Sequence, residues 1–272
     1  MLDKIIHVNS NGETLDFFSL GIYVNYNDLR DYEWQVKSNN DKITGFYKGI
    51  VNKTIPFVFY VNENKANEIK NKFYEHFEID VLRQSKGYFE INGYKYYCYV
   101  IKSVKSDYLI DKKLLYIQVE TTTDDSYWIK ETTKTINFSE LDGSTDSLKY
   151  AFTYSFVYRG LNSVNIMNDN FIETDGIIRI YGNAINPLVK IGENIYQVND
   201  TLDDNEYLEI DTKEKTIYKY SSYGDKTNIF HLRNKEYDVF KPIPSGQVNV
   251  SANAGFKVDI VMIERRGEPK WI

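Results

Sequence analysis

The sequence predicts an all-β fold carrying one surface helix, and three observations predict it. Apolar and polar residues alternate with a period of two along much of the chain, which is the spacing of half-buried strands. Turn sequences rich in Asn, Asp and Gly separate the alternating runs at the intervals expected of sandwiches or barrels. Aromatic residues are abundant: 24 Tyr, 15 Phe and 3 Trp in 272 residues. Aromatic and β-branched side chains suit a pleated, half-buried surface.

Taken in order, Asn11-Gly12 separates KIIHV from TLDFF and predicts a tight hairpin. Residues 63–77 place Ala66, Ile69, Phe73 and Phe77 on one helical face, with Lys65, Glu68, Lys72 and Glu75 on the other. That pattern lays an amphipathic helix on a sheet, with Asn62 or Asn64 as its cap. Its mixed charges argue against a membrane-surface helix. Asn92-Gly93 separates GYFEI from YKYYCYV, the sequence of a type I′ hairpin. Cys98 sits within that apolar second strand and reads as a packing residue.

The polar segment SELDGSTDSL at 139–148 follows the strand-like TKTINF and marks a boundary between residues 1–140 and 141–272. Each half is long enough to bury its own core. If the segment is a linker, proteases should cut it first. From Tyr150 to Tyr158, Tyr150, Phe152, Tyr154, Phe156 and Tyr158 fall on one side of a predicted strand. LNSVNIMNDN at 161–170 reads as a long polar loop. Further on, Gly192-Glu193-Asn194 and residues 211–214 each separate two alternating runs. No repeat of fixed period is visible, which disfavours propellers and solenoids.

Charge and targeting signals narrow the function. The formal net charge is −6, from 33 basic and 39 acidic residues. A nucleic-acid-binding surface needs clustered Lys and Arg, so specific nucleic-acid binding is not expected. DNA passing through a pore that does not grip it remains compatible. The N-terminal MLDKIIHVNSNG lacks the apolar run of a secretory signal. No stretch approaches the ~20 apolar residues of a membrane-spanning helix. These features predict assembly in a cytoplasm without membrane insertion. A single cysteine excludes an internal disulfide.

Catalytic motifs are absent. His7, His76 and His231 form no HxH, HxxxH or HExxH pair, and one cysteine does not build a zinc site. No two glycines are closer than Gly45 and Gly49, and GxGxxG, GxSxG and the P-loop are all missing. Asp203, Asp204, Glu206, Glu209 and Asp211 form an acidic run, but not at EF-hand spacing. Asp142 and Asp146 are a weaker pair. No catalytic, cofactor-binding or metal-ligating residue is assigned, and no cofactor is expected. Tyr218, Tyr220 and Tyr223 could stack on sugars, the first two from one strand face and the third from the turn after it. Packing within a sandwich or at a subunit contact accounts for them more simply. Basic residues are not grouped with these tyrosines in the sequence, which argues against a nucleic-acid stacking platform.

The order of several segments resembles the distal tail protein (Dit) family of siphophages and related phage-tail particles. They are NDLRDYEWQV (27–36) with Trp34 in a strand, the helix at 63–77, and EIDVLRQSKGYFEINGYKYYCYV (78–100). IIRIYGNAINPLVKI (177–191), YLEIDTKEKTIYKY (207–220), PIPSGQVNV (242–250) and FKVDIVMIERRGEPKW (256–271) follow. Each piece is unspecific alone, but the ordered set covers nearly the whole chain. The resemblance implies a non-enzymatic N-terminal β-sandwich or split barrel that forms a hexameric ring, and a galectin-like C-terminal β-sandwich. It implies a virion tail tip whose ring joins the tail tube protein to a tail-associated central protein and to receptor-binding or baseplate proteins. A channel for DNA would run through the ring. The alternative reading is a carbohydrate-binding adhesin or receptor-binding module.

Overall fold

The computed structural model describes residues 4–24, 27–60, 63–108, 114–141 and 163–271. The fold is all-β with one long helix. The chain forms two compact units, Met1–Lys130 with Arg265–Ile272, and Glu131–Glu264. The division therefore falls at 130/131 where the sequence suggested 140/141. The last eight residues return to the first unit, a long-range event that no local pattern announces. The predicted strand at 150–158, Asp142 and Asp146 lie outside the described residues.

The first unit begins with β1 (Ile5–Val8), β2 (Thr14–Asp16) and β3 (Ile22–Val24). It continues with β4 (Gln35–Asn39), β5 (Lys42–Tyr47), β6 (Val51–Tyr60) and α1 (Glu63–Arg83). Then come β7 (Gly87–Ile91), β8 (Tyr94–Tyr108), β9 (Leu114–Thr123) and the start of β10 (Trp128–Asn137). All the pairings are antiparallel. The 15-residue β8 is the spine: Tyr94–Cys98 pair with β7, and Tyr99–Tyr108 pair with β9. The partner changes between Cys98 and Tyr99, and the β9 ladder is irregular just beyond, between Val100 and Lys102. Beyond β7 lie β1 and β2; beyond β9 lie β6 and β3. Phe73 and Phe77 of α1 close the core, their rings 5.2 and 6.1 Å from Phe57 and Phe89 respectively.

Asn92 and Gly93 both have positive φ, as the predicted type I′ turn requires. The Asn11-Gly12 hairpin forms, but its turn differs from the expected two-residue form. The Gly12 N–H donates to the Asn9 carbonyl and the Asn9 N–H to the Glu13 carbonyl, with Gly12 alone at positive φ. This is a β-turn followed by a left-handed glycine, held because the Asn9 side chain accepts from the Asn11 and Glu13 N–H groups.

The helix runs past residue 77 to Arg83. Asn62 lies outside the described residues, and Asn64 falls inside the helix. The helix ends in a Schellman motif. Gln84 is left-handed, and the N–H groups of Gln84 and Ser85 donate to the Val81 and Asp80 carbonyls. Trp34 does not lie in a strand; it precedes β4. Among the described residues, no helix is long and apolar enough to cross a membrane.

The second unit contains the rest of β10 and α2 (Phe138–Leu141). β11 (Ser163–Asn168), β12 (Gly176–Tyr181), β13 (Ala184–Ile185), β14 (Leu188–Ile191) and β15 (Asn194–Gln197) follow. β16 (Thr201–Leu202), β17 (Tyr207–Asp211), β18 (Thr216–Tyr220), β19 (Lys226–Asn228), β20 (Gly246–Ala252) and β21 (Lys257–Arg266) as far as Glu264 complete it. One sheet has the order β19-β18-β17-β12-β21 and the other β11-β20-β14-β15. Between them, Ile178, Ile180, Leu208, Ile210 and Ile260 meet Val189, Ile191, Tyr196, Val248 and Val250. This is a β-sandwich in which alternate residues of each strand face inward.

The 161–170 segment is not a long loop. Ser163–Asn168 is a full strand paired with β20 from Ser163↔Ser251 to Asn168↔Gly246. Its polar residues concealed the alternation, and the inward positions are Ile166 and Asn168. Asn168 is buried because its Nδ2 donates to the carbonyls of Ile243 and Pro244.

Candidate functional site

The residues singled out for chemistry fall in several separate places, and most are buried or paired. Cys98 is fully buried, and burial pushes its thiol pKa up, so it packs and does not react. His231 is exposed on a short 3-10 turn. His7 and His76, far apart in sequence, meet inside the first unit. The acidic run is spent on separate partners: Glu206 pairs with Lys219 at 2.9 Å, Glu209 with Arg179 at 2.8 Å, and Asp204 accepts from Asn183. Among the described residues, no group of three or more His, Cys, Asp or Glu is placed to hold a metal.

The tyrosines form a cross-strand row on the outer face of β12, β17 and β18. Tyr181, Tyr207 and Tyr220 lie in register, with ring centroids 5.5 and 4.5 Å apart. Lysines cap the row, Lys257 over Tyr181 at 4.6 Å and Lys226 over Tyr220 at 5.5 Å. Lys226 also lies 3.8 Å from the centre of Tyr218. Basic residues are therefore grouped with these tyrosines, contrary to the sequence reading, because β19 returns beside β18. The rings cover one another's faces and lysines cover the ends, which leaves edges where a sugar would need a face. Tyr223, in the turn after β18, is 93% exposed.

The strongest candidate surface is the β4–β5 hairpin, which sequence reasoning missed. Asn40 and Asp41 both have positive φ and form its two-residue turn between Asn39 and Lys42. Asn-Asp between alternating residues was the available signal. The register carries a bulge at Lys37/Ser38. Before it, Val36 pairs with Phe46; after it, Ser38 pairs with Ile43. The bulge thus places Val36, Phe46 and Ile43 on one face, although Ile43 and Phe46 are three apart. Gln35, Lys37, Asn39, Lys42 and Tyr47 take the other. The apolar face is bare: Val36 is 51% exposed, Phe46 61% and Ile43 64%. A lone two-stranded ribbon is marginally stable in water, and clusters of exposed apolar groups mark contact sites.

The base of this ribbon is held firmly. Lys48 follows β5 and Trp34 precedes β4, and the Lys48 ammonium lies 5.2 Å from the Trp34 ring and 4.4 Å from Tyr127. It also donates to the Ser126 carbonyl at 2.9 Å. Arg265 lies over the Tyr127 ring and pairs with Asp125. The arrangement fixes the direction of the ribbon and leaves its apolar face open.

No protein-family model and no curated protein sequence matches the chain. Solved structures do. The crystal structure of the phage SPP1 Dit protein, described as a paradigm of the hub adsorption apparatus in phages infecting Gram-positive hosts, aligns with a TM-score of 0.59 at 9% identity. It covers 98% of this chain and 100% of that one. This fold is Dit-like. The activated phage p2 baseplate gives chains at TM-scores of 0.54 (13% identity) and 0.56 (11%), each covering 99% of this chain and 100% of that chain. The Dit-like fold thus includes both units.

Proposed function

We propose that this chain is a non-enzymatic structural hub of a phage tail tip or baseplate. Six copies form a ring through their first units, and the galectin-like second units project outward. The ring joins the tail tube protein to a tail-associated central protein and to receptor-binding or baseplate proteins. Assembly takes place in the host cytoplasm. The observation that carries this reading is the end-to-end likeness to a Dit hub, 98% of one chain against 100% of the other. The uncovered apolar face of β4–β5 supports it, since a subunit of a ring must keep such surface for its neighbours.

The channel wall consists of acidic or neutral side chains, in keeping with the net charge of −6, so that DNA passes without being held. A structure of the assembled ring with Lys and Arg along the channel would refute this. Negative-stain electron microscopy with light scattering tests the function itself. Closed rings with a central opening are expected. A uniform monomer at high concentration that binds host cell-wall polysaccharide would replace the hub with an adhesin.

A further inference from the structure

A second apolar feature of the first unit lies open to solvent. Between α1 and the β8–β9 sheet is a groove of about 190 Å³. Core residues Phe73, Phe77 and Ile117 form its floor, and Tyr74, Val81 and Ile101 its walls. Tyr74 is 55% exposed, Val81 41% and Ile101 50%. An engineered apolar cavity of roughly 150 Å³ takes up benzene, so the volume suffices for a phenylalanine ring.

The groove and the ribbon occupy different places along one sheet. β6 pairs with β9 from Val51↔Thr123 to Tyr60↔Leu114. The ribbon leads into the Val51 end, while the β9 residues of the groove run from Val119, opposite Ile55, to Leu115 near the other end. At about 3.3 Å per residue, these β9 residues lie about 13–26 Å along the strand from the Thr123 end. The ribbon does not fold back on the groove, since its apolar face is exposed. A bare apolar face and a separate, mainly apolar recess on one unit make a head-to-tail pair. Such a heterologous contact closes into a ring when its rotation divides a full turn.

We infer that the Val36–Ile43–Phe46 face of one copy docks into the α1–β8/β9 groove of a second copy. This rests on the ring reading above and names its contact. The second copy is the occupant because an apolar donor face and a recess with an apolar floor, rimmed by Lys70, Lys102 and Lys105, are both present and both uncovered on one unit. Phe46 is the anchor residue, and Tyr74 and Val81 grip it from the helix.

Bis-maleimide cross-linking of a Ser38→Cys/Lys102→Cys protein, which leaves Phe46 and Val81 in place, tests the contact, with Cys98 silent because it is buried. A covalent ladder is expected from the double variant and none from either single variant. Dimers from Ser38→Cys alone would indicate a symmetric ribbon–ribbon contact and overturn the inference. Phe46→Asp should weaken assembly at least 100-fold, with an unchanged circular dichroism spectrum because the side chain is exposed. If Phe46→Asp rings form as in wild type, or rings form without the cross-link, this contact is wrong and the ring reading stands. If the wild-type chain never self-associates, both fall.

Discussion

His7 Nδ1 lies 3.0 Å from His76 Nε2, although the two residues are 69 positions apart. Asn9 approaches the other nitrogen of His76 at 3.4 Å, and Asp80 approaches His7 Nε2 at 4.0 Å. Asp80 also accepts from the Ser10 N–H at 2.6 Å, which fastens the first hairpin to α1. The cluster therefore joins three elements with neutral imidazoles, packed edge-on against Phe77 and Phe89.

Acid should loosen this joint. Burial, and then the neighbouring His76, hold the His7 pKa well below its usual value; burial lowers that of His76 to about 4. In the unfolded chain both take protons near pH 6.5. Stability is then complete above about 6.5 and is lost as pH falls towards 4, because the unfolded chain binds protons that the folded one refuses. Burial raises the Asp80 pKa, which opposes the loss at the acid end. For His76 alone, a loss of about 3 kcal/mol by pH 4 is expected. Urea unfolding from pH 8 to 4 measures it, and His76→Gln should flatten the curve.

Trp128 ties β10 to the first core. Its Nε1 donates to the Leu29 carbonyl at 3.2 Å, and its ring lies 5.3 Å from Tyr96. Trp128→Phe removes that bond and leaves a void, at a cost of about 2–4 kcal/mol. Thermal melting should show it, with the fold retained.

Gly87 lies where no side chain fits. A Cβ there would come within 2.7 Å of His7 Cε1 and of the Val8 carbonyl oxygen, and would press on Asp80. Gly87→Ala should cost more than the ~1 kcal/mol of an average substitution. It should also raise the urea sensitivity of the β1–β7 pairing, as followed by amide exchange.

The clamp on the ribbon gives a test that separates order from stability. Lys48→Gln removes the cation between Trp34 and Tyr127, worth about 0.5–1 kcal/mol for each ring contact. The melting temperature should fall little. Hydrogen exchange across Gln35–Tyr47 should speed up clearly, and ring assembly should weaken in parallel.

Proteolysis at 139–148 should give fragments that stay together. The C-terminal fragment carries Arg265–Ile272, which packs with the first unit, where the Asn92 Nδ2 donates to the Lys270 carbonyl. Size-exclusion chromatography should show one species, which separates in denaturant. Independent elution of the two pieces would refute this topology.

The sequence by itself determined the all-β class, the helix face with Phe73 and Phe77, the Asn92-Gly93 turn, the burial of Cys98 and the Dit-like order of segments. The first four follow from dihedral preferences and periodicities that act over a few residues; the order of segments is a resemblance to a known family. The tertiary structure decided what depends on distant chain meeting. It brought His7 to His76, stacked Tyr207 on Tyr220 under Lys226, and returned residues 265–272 to the first unit. It also decided which face of β4–β5 is bare, because one bulge moves Ile43 to the side of Phe46. A one-residue change of register exchanges the two faces of a strand. Simple alternation read across the bulge puts Ile43 and Phe46 on opposite faces.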